Sequence, residues 1–288
     1  MIFYQYIKSY LIFYLISFLP FYTIAETKFG DFQMHTRTRI GLLTPSSNTV
    51  MEPRVCELLS GNPEITAHFA RFRVTKISMG RDALDQFTFE PQLAAAELLA
   101  EAKCDVIAWG GTSGGWLGAQ NDVELCKAIT DRTGVPATTS TLATLDGFRA
   151  LGAGTYGLAT PYLAEVQEAI VSNFAALGFE CLDERHLEDP GNYSFAQYKE
   201  TEVAELIRQV AADGPGAVAV FCTNFDGPRV APDIERATGI PVLDSISVTL
   251  WHALRLAGVD TAALAKWGRI FRYELPSGAR SGGTPVSA

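Results

Sequence analysis

The feature that most constrains this chain is an internal repeat of short strand-like segments and the polar turns that follow them. Three segments of the first half reappear in the second half, in the same order. The matched pairs are Gly41–Ser46 with Gly157–Tyr162, Val106–Ser113 with Ala217–Asn224, and Thr133–Pro136 with Thr238–Pro241. Chance can supply one such match, but three in order predict a duplicated unit. The alternative is two unrelated halves that share a common α/β sequence style.

Apolar runs of strand length alternate with longer amphipathic runs from Arg39 onward. The runs VIAW at 106–109 and AVAVF at 217–221 are apolar throughout, which is typical of parallel strands covered on both faces. Together with the repeat, this pattern predicts an α/β fold in which two similar domains, each with a parallel sheet, face each other across a pseudo-two-fold axis.

The repeat also predicts where the domains begin and end. We expect a first α/β domain at 37–153 and a second at 154–250. A C-terminal helix at 251–272 should pack back on the first domain. The tail at 273–288 is rich in Gly, Ser and Pro, so we predict that it is disordered.

Residues 1–36 do not fit this pattern. Met1–Ala25 is almost continuously apolar and aromatic, and Lys8 is its only charge. It reads as a secretory signal, as a short membrane anchor interrupted by Pro20, or as sequence upstream of a true start at Met34. We favour the start at Met34, which predicts a cytoplasmic protein without stable membrane association. The other two interpretations predict export or anchoring.

Composition excludes several classes of function. The chain has 32 acidic and 23 basic residues and a net charge of −9, so we expect no nucleic-acid partner. Its cysteines are few, odd in number and widely spaced, which favours neither a disulfide framework nor a zinc site. The histidines show no metal-binding spacing, so no metal is expected. The five cysteines are Cys56, Cys104, Cys126, Cys181 and Cys222.

Ligands of open α/β sheets bind at the carboxyl ends of the strands, and each matched segment runs from a strand end into a polar turn. The duplicated turns should therefore meet at one cleft. Hydroxyls, amides and helix N-termini dominate these turns, which suits a small anion, and two facing copies suit a dianion. The candidate binding residues in these turns are Ser47, Asn48, Gly111, Thr112, Ser113, Tyr162, Thr223 and Asn224.

The two copies differ at one chemically important position. Cys222 in the second half corresponds to Gly111 in the first. A thiol at a strand end beside hydroxyl donors can act as an acid, a base or a nucleophile, so Cys222 is the candidate catalytic residue. A single thiol allows protonation of a carbon from one side only. The alternative is a buried structural cysteine; for Asn48 it is a helix cap, and for Tyr162 a ring that covers the sheet.

These motifs resemble the aspartate/glutamate racemase superfamily, and within it the maleate cis-trans isomerases and the arylmalonate decarboxylases. The resemblance covers about Arg39 to Val259. It implies two pseudo-symmetric Rossmann-like or flavodoxin-like domains with the active site between them. It also implies chemistry through an enediolate-like carbanion without metal, pyridoxal phosphate or other cofactor. The motifs are LTPSSNT at 43–49, GGTS at 110–113, ATPY at 159–162, CTN at 222–224 and the paired TG[VI]P segments.

The resemblance to the isomerase branch implies that Asn48 and Tyr162 hold substrate carboxylates and that Asn192 is a further carboxylate contact. In that branch Cys222 corresponds to the second catalytic thiol. Maleate isomerases have a nucleophilic cysteine where this chain has Gly111, so an ordinary two-thiol reaction is not expected.

The segment GGTSGGWLG at 110–118 instead resembles the decarboxylase branch, which has glycine at that position and one proton-donating thiol. There, Thr112, Ser113 and Tyr162 would donate to the carboxylate that becomes the enediolate. Our leading hypothesis is decarboxylation of a malonate-type acid, with a small dicarboxylate as the substrate. The alternatives are a maleate-type isomerase or racemase, and a non-catalytic dicarboxylate-binding protein. Each of these hypotheses is compatible with a homo-oligomer.

Overall fold

The computed structural model describes residues 37–75, 77, 79 and 88–277. The described residues from Arg37 onward belong to one compact unit. The predictions for the apolar segment at 1–36 lie outside the described residues, as does the last part of the tail. Among the described helices, none has the length and apolar character needed to cross a membrane.

The first half builds a four-stranded parallel sheet. Its strands are β1 (Thr38–Pro45), β2 (Ile65–Phe72), β3 (Val106–Trp109) and β4 (Ala137–Thr139), in the order β2-β1-β3-β4. All three pairings are parallel. All of β3 and most of β1 are buried, as the apolar runs predicted.

The second half repeats this arrangement strand for strand. Its strands are β5 (Thr155–Thr160), β6 (Glu180–His186), β7 (Ala217–Val220) and β8 (Val242–Asp244), in the order β6-β5-β7-β8. Its pairings are again parallel. The edge strand β6 is polar and half-exposed, which discourages edge-to-edge association. Two parallel sheets with the same strand order confirm the predicted α/β fold.

Helices connect the strands and cover the sheets. Helices from Phe89–Glu101 and Ala119–Thr133 pack on the first sheet, and those from Ala164–Ala176 and Glu200–Ala211 pack on the second. In chain order the helices are α1 (Met51–Leu59), α2 (Phe89–Glu101), α3 (Gly114–Leu117), α4 (Ala119–Thr133), α5 (Ser140–Leu151), α6 (Ala164–Ala176), α7 (Glu200–Ala211), α8 (Ala231–Thr238) and α9 (Ser245–Leu256).

The repeated Thr-Gly-Val/Ile-Pro segments end equivalent helices. Gly134 after α4 and Gly239 after α8 have φ values of 73° and 77°, a left-handed conformation that glycine adopts without strain. The preceding threonines make the same hydrogen bonds in both copies. Thr133 Oγ1 donates to a carbonyl of its helix and accepts from the N–H of Val135, and Thr238 does so with the N–H of Ile240. The motif is a helix stop that delivers the chain to β4 and β8.

Helices α5 and α9 are equivalent in the repeat, and they pack against each other where the halves meet. Thr249 Oγ1 lies 2.7 Å from Ser140 Oγ. Further along, His252 Nε2 lies 3.0 Å from Asp146 Oδ2, and both side chains are buried. Polar pairs therefore fix how the two helices pack across the pseudo-two-fold axis.

The C-terminal prediction was wrong in two respects. The expected boundary at 250 falls inside α9, and the segment at 251–272 is not one helix. The helix ends at Leu256 before Gly258, whose φ is 77°, and two 3₁₀ helices follow at Ala262–Trp267 and Arg269–Arg272. Gly258 adopts a left-handed conformation that does not continue an α-helix, so the predicted single helix ends before it.

The first residues of the predicted disordered tail make specific contacts. Trp251 Nε1 donates to the carbonyl of Tyr273 at 2.9 Å, and Arg255 Nη1 lies 2.7 Å from Glu274 Oε1. The composition of the tail did not reveal these partners, since both lie on α9.

Candidate active site

The carboxyl ends of β1, β3, β5 and β7 open onto one pocket, as expected for parallel sheets. The pocket contains about 320 Å³ of space free of protein atoms, part of it open to solvent. None of the described residues that line it carries a carboxylate, so hydroxyls, amides and one thiol supply its polar groups. The lining residues are Pro45, Asn48, Val74, Ile77, Trp109, Gly111, Thr112, Ser113, Trp116, Tyr162, Asn192, Cys222, Thr223 and Asn224.

The turn after β3 places two hydroxyls in the pocket. The N–H groups of Gly115 and Leu117 donate to the carbonyls of Thr112 and Ser113, so the chain turns directly into α3. Trp109 Nε1 donates to Ser113 Oγ at 3.2 Å. The turn is thus held by its own backbone and by the last residue of the strand.

Tyr162 follows β5 and reaches the turn of the other half. Its hydroxyl oxygen lies 2.6 Å from Thr112 Oγ1, and its ring packs edge-on against Trp116 and Phe195. Burial, with a smaller contribution from the neighbouring Cys222, raises the pKa of Tyr162 well above its usual value. The phenol therefore keeps its proton and can donate a hydrogen bond.

Cys222 lies just beyond the end of β7, with only 4% of its surface exposed. Burial raises the pKa of its thiol to about 12, and hydrogen bonds from Tyr162 and from the N–H of Asn224 oppose that shift. The Asn224 nitrogen lies 3.4 Å from Sγ. A thiol in this environment is protonated at neutral pH, so it is better suited to give a proton than to attack as a thiolate.

Asn48 both caps a helix and lines the pocket. Its Oδ1 accepts from the N–H groups of Val50 and Met51 at 3.0 and 2.9 Å, at the start of α1. Its Nδ2 donates to Thr223 Oγ1 at 3.1 Å, and that hydroxyl donates to the carbonyl of Gly110 at 2.8 Å. The Asn48 side chain therefore both caps α1 and lines the pocket, the two alternatives considered from the sequence.

Asn224 and Asn192 complete the polar wall. Asn224 Nδ2 donates to the carbonyl of Asn192 at 2.6 Å, and its Oδ1 accepts from the N–H of Thr49 at 2.9 Å. Asn192 Nδ2 contacts the carbonyl of Val74 at 3.4 Å. These bonds tie the loops after β6 and β7 to the first half of the chain.

Nine of the ten candidate site residues named from the sequence line this pocket, and Ser47 does not. The Ser47 hydroxyl donates to the carbonyl of Val74 at 2.8 Å, so it holds the loop after β2 rather than facing the pocket. Sequence reasoning missed Val74, Ile77 and Trp109. Trp109 was recognisable by its place at the strand end before GGTS, whereas nothing in the sequence marks Val74 and Ile77.

The family model for arylmalonate decarboxylase matches residues 40–271. The chain belongs to this family. Its relatives include an arylmalonate decarboxylase from Bordetella bronchiseptica, 28% identical over 242 residues, which span 83% of this chain and 98% of the relative. They also include a maleate isomerase from Geobacillus stearothermophilus, 26% identical over 234 residues, which span 77% of this chain and 93% of the relative.

Solved structures of both kinds of enzyme share the fold of this family member. Maleate cis-trans isomerase from Nocardia farcinica bound to TRIS matches with a TM-score of 0.75 and 26% identity, over 82% of this chain and 98% of that one. Unliganded arylmalonate decarboxylase matches with a TM-score of 0.67 and 26% identity, over 82% and 99%. The named relatives are enzymes, and the predicted family resemblance is confirmed. The two activities occur among relatives at similar identity.

Proposed function

We propose that this chain decarboxylates a small malonate-type dicarboxylic acid and that Cys222 protonates the resulting carbanion. One observation carries the proposal: among the described residues that line the pocket, Cys222 is the only thiol, and Gly111 stands at the equivalent strand end of the other half. A reaction that needs acid–base groups on both faces of a carbon lacks one of its two partners here.

The hydroxyl groups in the pocket support this chemistry. Thr112, Ser113 and Tyr162 would donate to the carboxylate that the substrate keeps. Negative charge grows on that carboxylate as it becomes an enediolate, so donors that are already in place stabilise the transition state more than the ground state. None of the described lining residues carries a carboxylate, so no like charge opposes the negative charge that develops on the substrate.

The proposed reaction replaces one carboxylate on the α-carbon by a proton. The bond between the α-carbon and one carboxylate breaks, carbon dioxide leaves, and the electron pair of that bond enters the retained carboxylate as an enediolate. The Cys222 S–H then gives its proton to the α-carbon. The thiolate left on Cys222 takes a proton from water, which restores the starting state. The raised pKa of Cys222 suits this role, because the proton-bearing form is the one required.

Maleate-type isomerisation is the second candidate. It is supported by Asn48 and Asn192, which line the pocket beside Tyr162 and offer amides to a second carboxylate. Several relatives are named maleate isomerases. The two-thiol form of this reaction would need a further group in place of the side chain that Gly111 lacks.

Proton NMR in D₂O distinguishes the candidates. The full chain is incubated with phenylmalonate, methylmalonate and maleate in separate samples. We expect a malonate to disappear while its monoacid product appears with one deuterium at the α-carbon. Fumarate formed from maleate, with the malonates unchanged, would contradict the proposal and favour isomerisation. Saturable binding of unchanged acids would favour a dicarboxylate-binding protein instead.

Matched cysteine variants test the assigned proton donor. Cys222→Ala should remove turnover while the fold persists, since the substitution removes only a small buried side chain. Cys56→Ala is the control, because Cys56 is exposed on α1 and does not line the pocket. Turnover retained by Cys222→Ala would remove this thiol from the mechanism.

A further inference from the structure

Trp109 corresponds in the internal repeat to a residue of very different size, Val220. Trp109 is the last residue of β3, and Val220 is the last residue of β7. Each pairs in register with the central strand of its sheet, Trp109 with Leu43 and Val220 with Ala159. Position 111 and Cys222 each follow two residues later. A large indole on one side therefore replaces a small aliphatic side chain on the other.

The indole occupies the space into which a side chain at position 111 would project. A Cβ atom built on Gly111 would lie 2.1 Å from Trp109 Cζ2, 2.4 Å from Cε2 and 2.7 Å from Cη2. These distances are far below van der Waals contact, and the atoms belong to a rigid ring rather than to the end of a flexible chain.

Packing holds the ring in that place. Trp109 is 1% exposed, and its ring lies 4.8 Å from that of Phe72 at an angle of 40°. Its Nε1 donates to Ser113 Oγ. Moving the indole away from Gly111 would break this hydrogen bond and open space in a close-packed region.

We propose that Trp109 is a specificity-determining residue, whose ring closes the Gly111 side of the pocket to any second proton-transferring group. The inference rests on the proposed function and extends it: protonation comes from Cys222 alone, so a prochiral malonate yields one enantiomer. On this account position 111 must be glycine because the Trp109 ring fills the space that any larger side chain would need. Introducing a thiol at 111 is therefore not enough to create a racemase.

With thiols on both sides, racemisation needs no other reactant. The thiolate on one side takes the α-proton of a monoacid, and the electron pair enters its carboxylate. The S–H on the other side then gives a proton to the opposite face of the same carbon. The two sulfurs exchange roles, and no net proton is consumed.

Four full-length proteins test this inference: wild type, Trp109→Val, Gly111→Cys and the double variant. Valine is chosen because it is the residue that the other half has at this position. The substrate is 2-methyl-2-phenylmalonate, and the product is 2-phenylpropionate. Chiral chromatography gives the enantiomer ratio of the product, and the same method applied to one purified enantiomer of 2-phenylpropionate incubated with each protein gives the rate of racemisation.

We expect one enantiomer from the wild type and racemisation at least about tenfold faster in the double variant than in either single variant. Equal racemisation by Gly111→Cys alone would overturn the inference. So would absence of racemisation in a folded double variant that still decarboxylates.

Unfolding in urea tests the steric relationship without reference to activity. Gly111→Ala alone should lower the unfolding midpoint, by on the order of 1 M. The same substitution in the Trp109→Val background should lower it much less. Equal decreases in both backgrounds would overturn the claim that the indole fills this space. A wild type that releases no carbon dioxide would contradict the proposed function, whereas the unfolding result would still decide the role of Trp109.

Discussion

The hydroxyl oxygens of Tyr162 and Thr112 lie 2.6 Å apart, although they belong to opposite halves of the chain. Both residues are buried and line the same pocket. The hydrogen bond therefore joins the two halves at the position where the proposed function places a substrate carboxylate. In the resting site each hydroxyl satisfies the other, and a bound carboxylate can accept a hydrogen bond from both.

Tyr162→Phe should lower kcat about 100-fold, because one preorganised donor to the enediolate is lost. KM should change less, since the donor matters most when charge develops. Steady-state release of carbon dioxide measures both constants. Tyr156→Phe is the matched control, because Tyr156 is a buried tyrosine of β5 that does not line the pocket. Similar losses in the two variants would indicate general damage to β5 rather than a missing donor.

Cys222 should react slowly with iodoacetamide at neutral pH. Burial raises the pKa of its thiol to about 12, so the reactive thiolate is scarce, and its alkylation should accelerate about tenfold for each pH unit between 7 and 9. The proton-donating form is present below this pKa and is lost as the pH rises through it, so Cys222 should not cause kcat to fall over the same range. Peptide mass spectrometry follows each cysteine. Faster labelling of Cys222 than of exposed Cys56 at pH 7 would contradict this assignment.

Arg54→Met should lower the free energy of unfolding by about 1–3 kcal/mol. The Arg54 guanidinium on α1 binds both carboxylate oxygens of Asp226, at 2.7 and 2.5 Å, and both side chains are less than 20% exposed. Removal leaves a partly buried carboxylate unpaired and releases the loop that carries Cys222. Urea unfolding measures the change.

Arg236→Met is the control for that experiment, because Arg236 pairs with Asp233 on the exposed surface of α8. Its loss should cost less than about 1 kcal/mol. A decrease of the same size in both variants would mean that the Arg54 pair contributes no more than a surface ion pair.

Asp146→Asn should destabilise the protein at pH 7 by about 1–3 kcal/mol, and this destabilisation should decrease as the pH falls below about 4. Burial tends to raise the pKa of Asp146, but hydrogen bonds with His252 and Arg149 outweigh it and lower the pKa below its usual value. A carboxylate with a depressed pKa stabilises the folded state above its unfolded pKa, near 3.9, and that stabilisation is lost as the pH falls through the folded pKa.

Urea unfolding at pH 7, 5 and 3 measures this dependence, with Asp233→Asn as the exposed counterpart. If the loss of unfolding free energy caused by Asp146→Asn stayed constant from pH 7 to pH 3, the negative charge of Asp146 would not be what stabilises the α5–α9 contact.

Local pattern was sufficient for much of the architecture. The apolar runs at 106–109 and 217–221 contain the buried inner strands β3 and β7, and the Thr-Gly-Val/Ile-Pro segments form equivalent helix ends. Both depend on short-range physics: hydrophobic periodicity, the left-handed conformation of glycine and capping by threonine. The repeat then placed the polar turns, and eight of the residues named in those turns line the pocket; Asn192, which the family resemblance implied, is the ninth.

The failures have a common physical cause. Ser47 carries the same kind of hydroxyl as its pocket neighbours, but it points toward Val74. One helix is expected at 251–272, but Gly258 interrupts it. The start of the tail looked disordered, but it meets partners on α9. The identity of a residue shows which contacts its side chain can make. It does not show which of several partners lies within reach in the folded chain.

By itself the sequence determined the duplicated α/β plan, the family, and the asymmetry between Cys222 and Gly111, because each is written in contiguous motifs. Only the tertiary structure decided what surrounds that asymmetry. The Trp109 ring over Gly111, the pairing of Arg54 with Asp226, and the hydrogen bond between Tyr162 and Thr112 depend on side-chain direction and on the path of distant loops. Such contacts form when the two sheets pack into one unit, and no local pattern of residues specifies them.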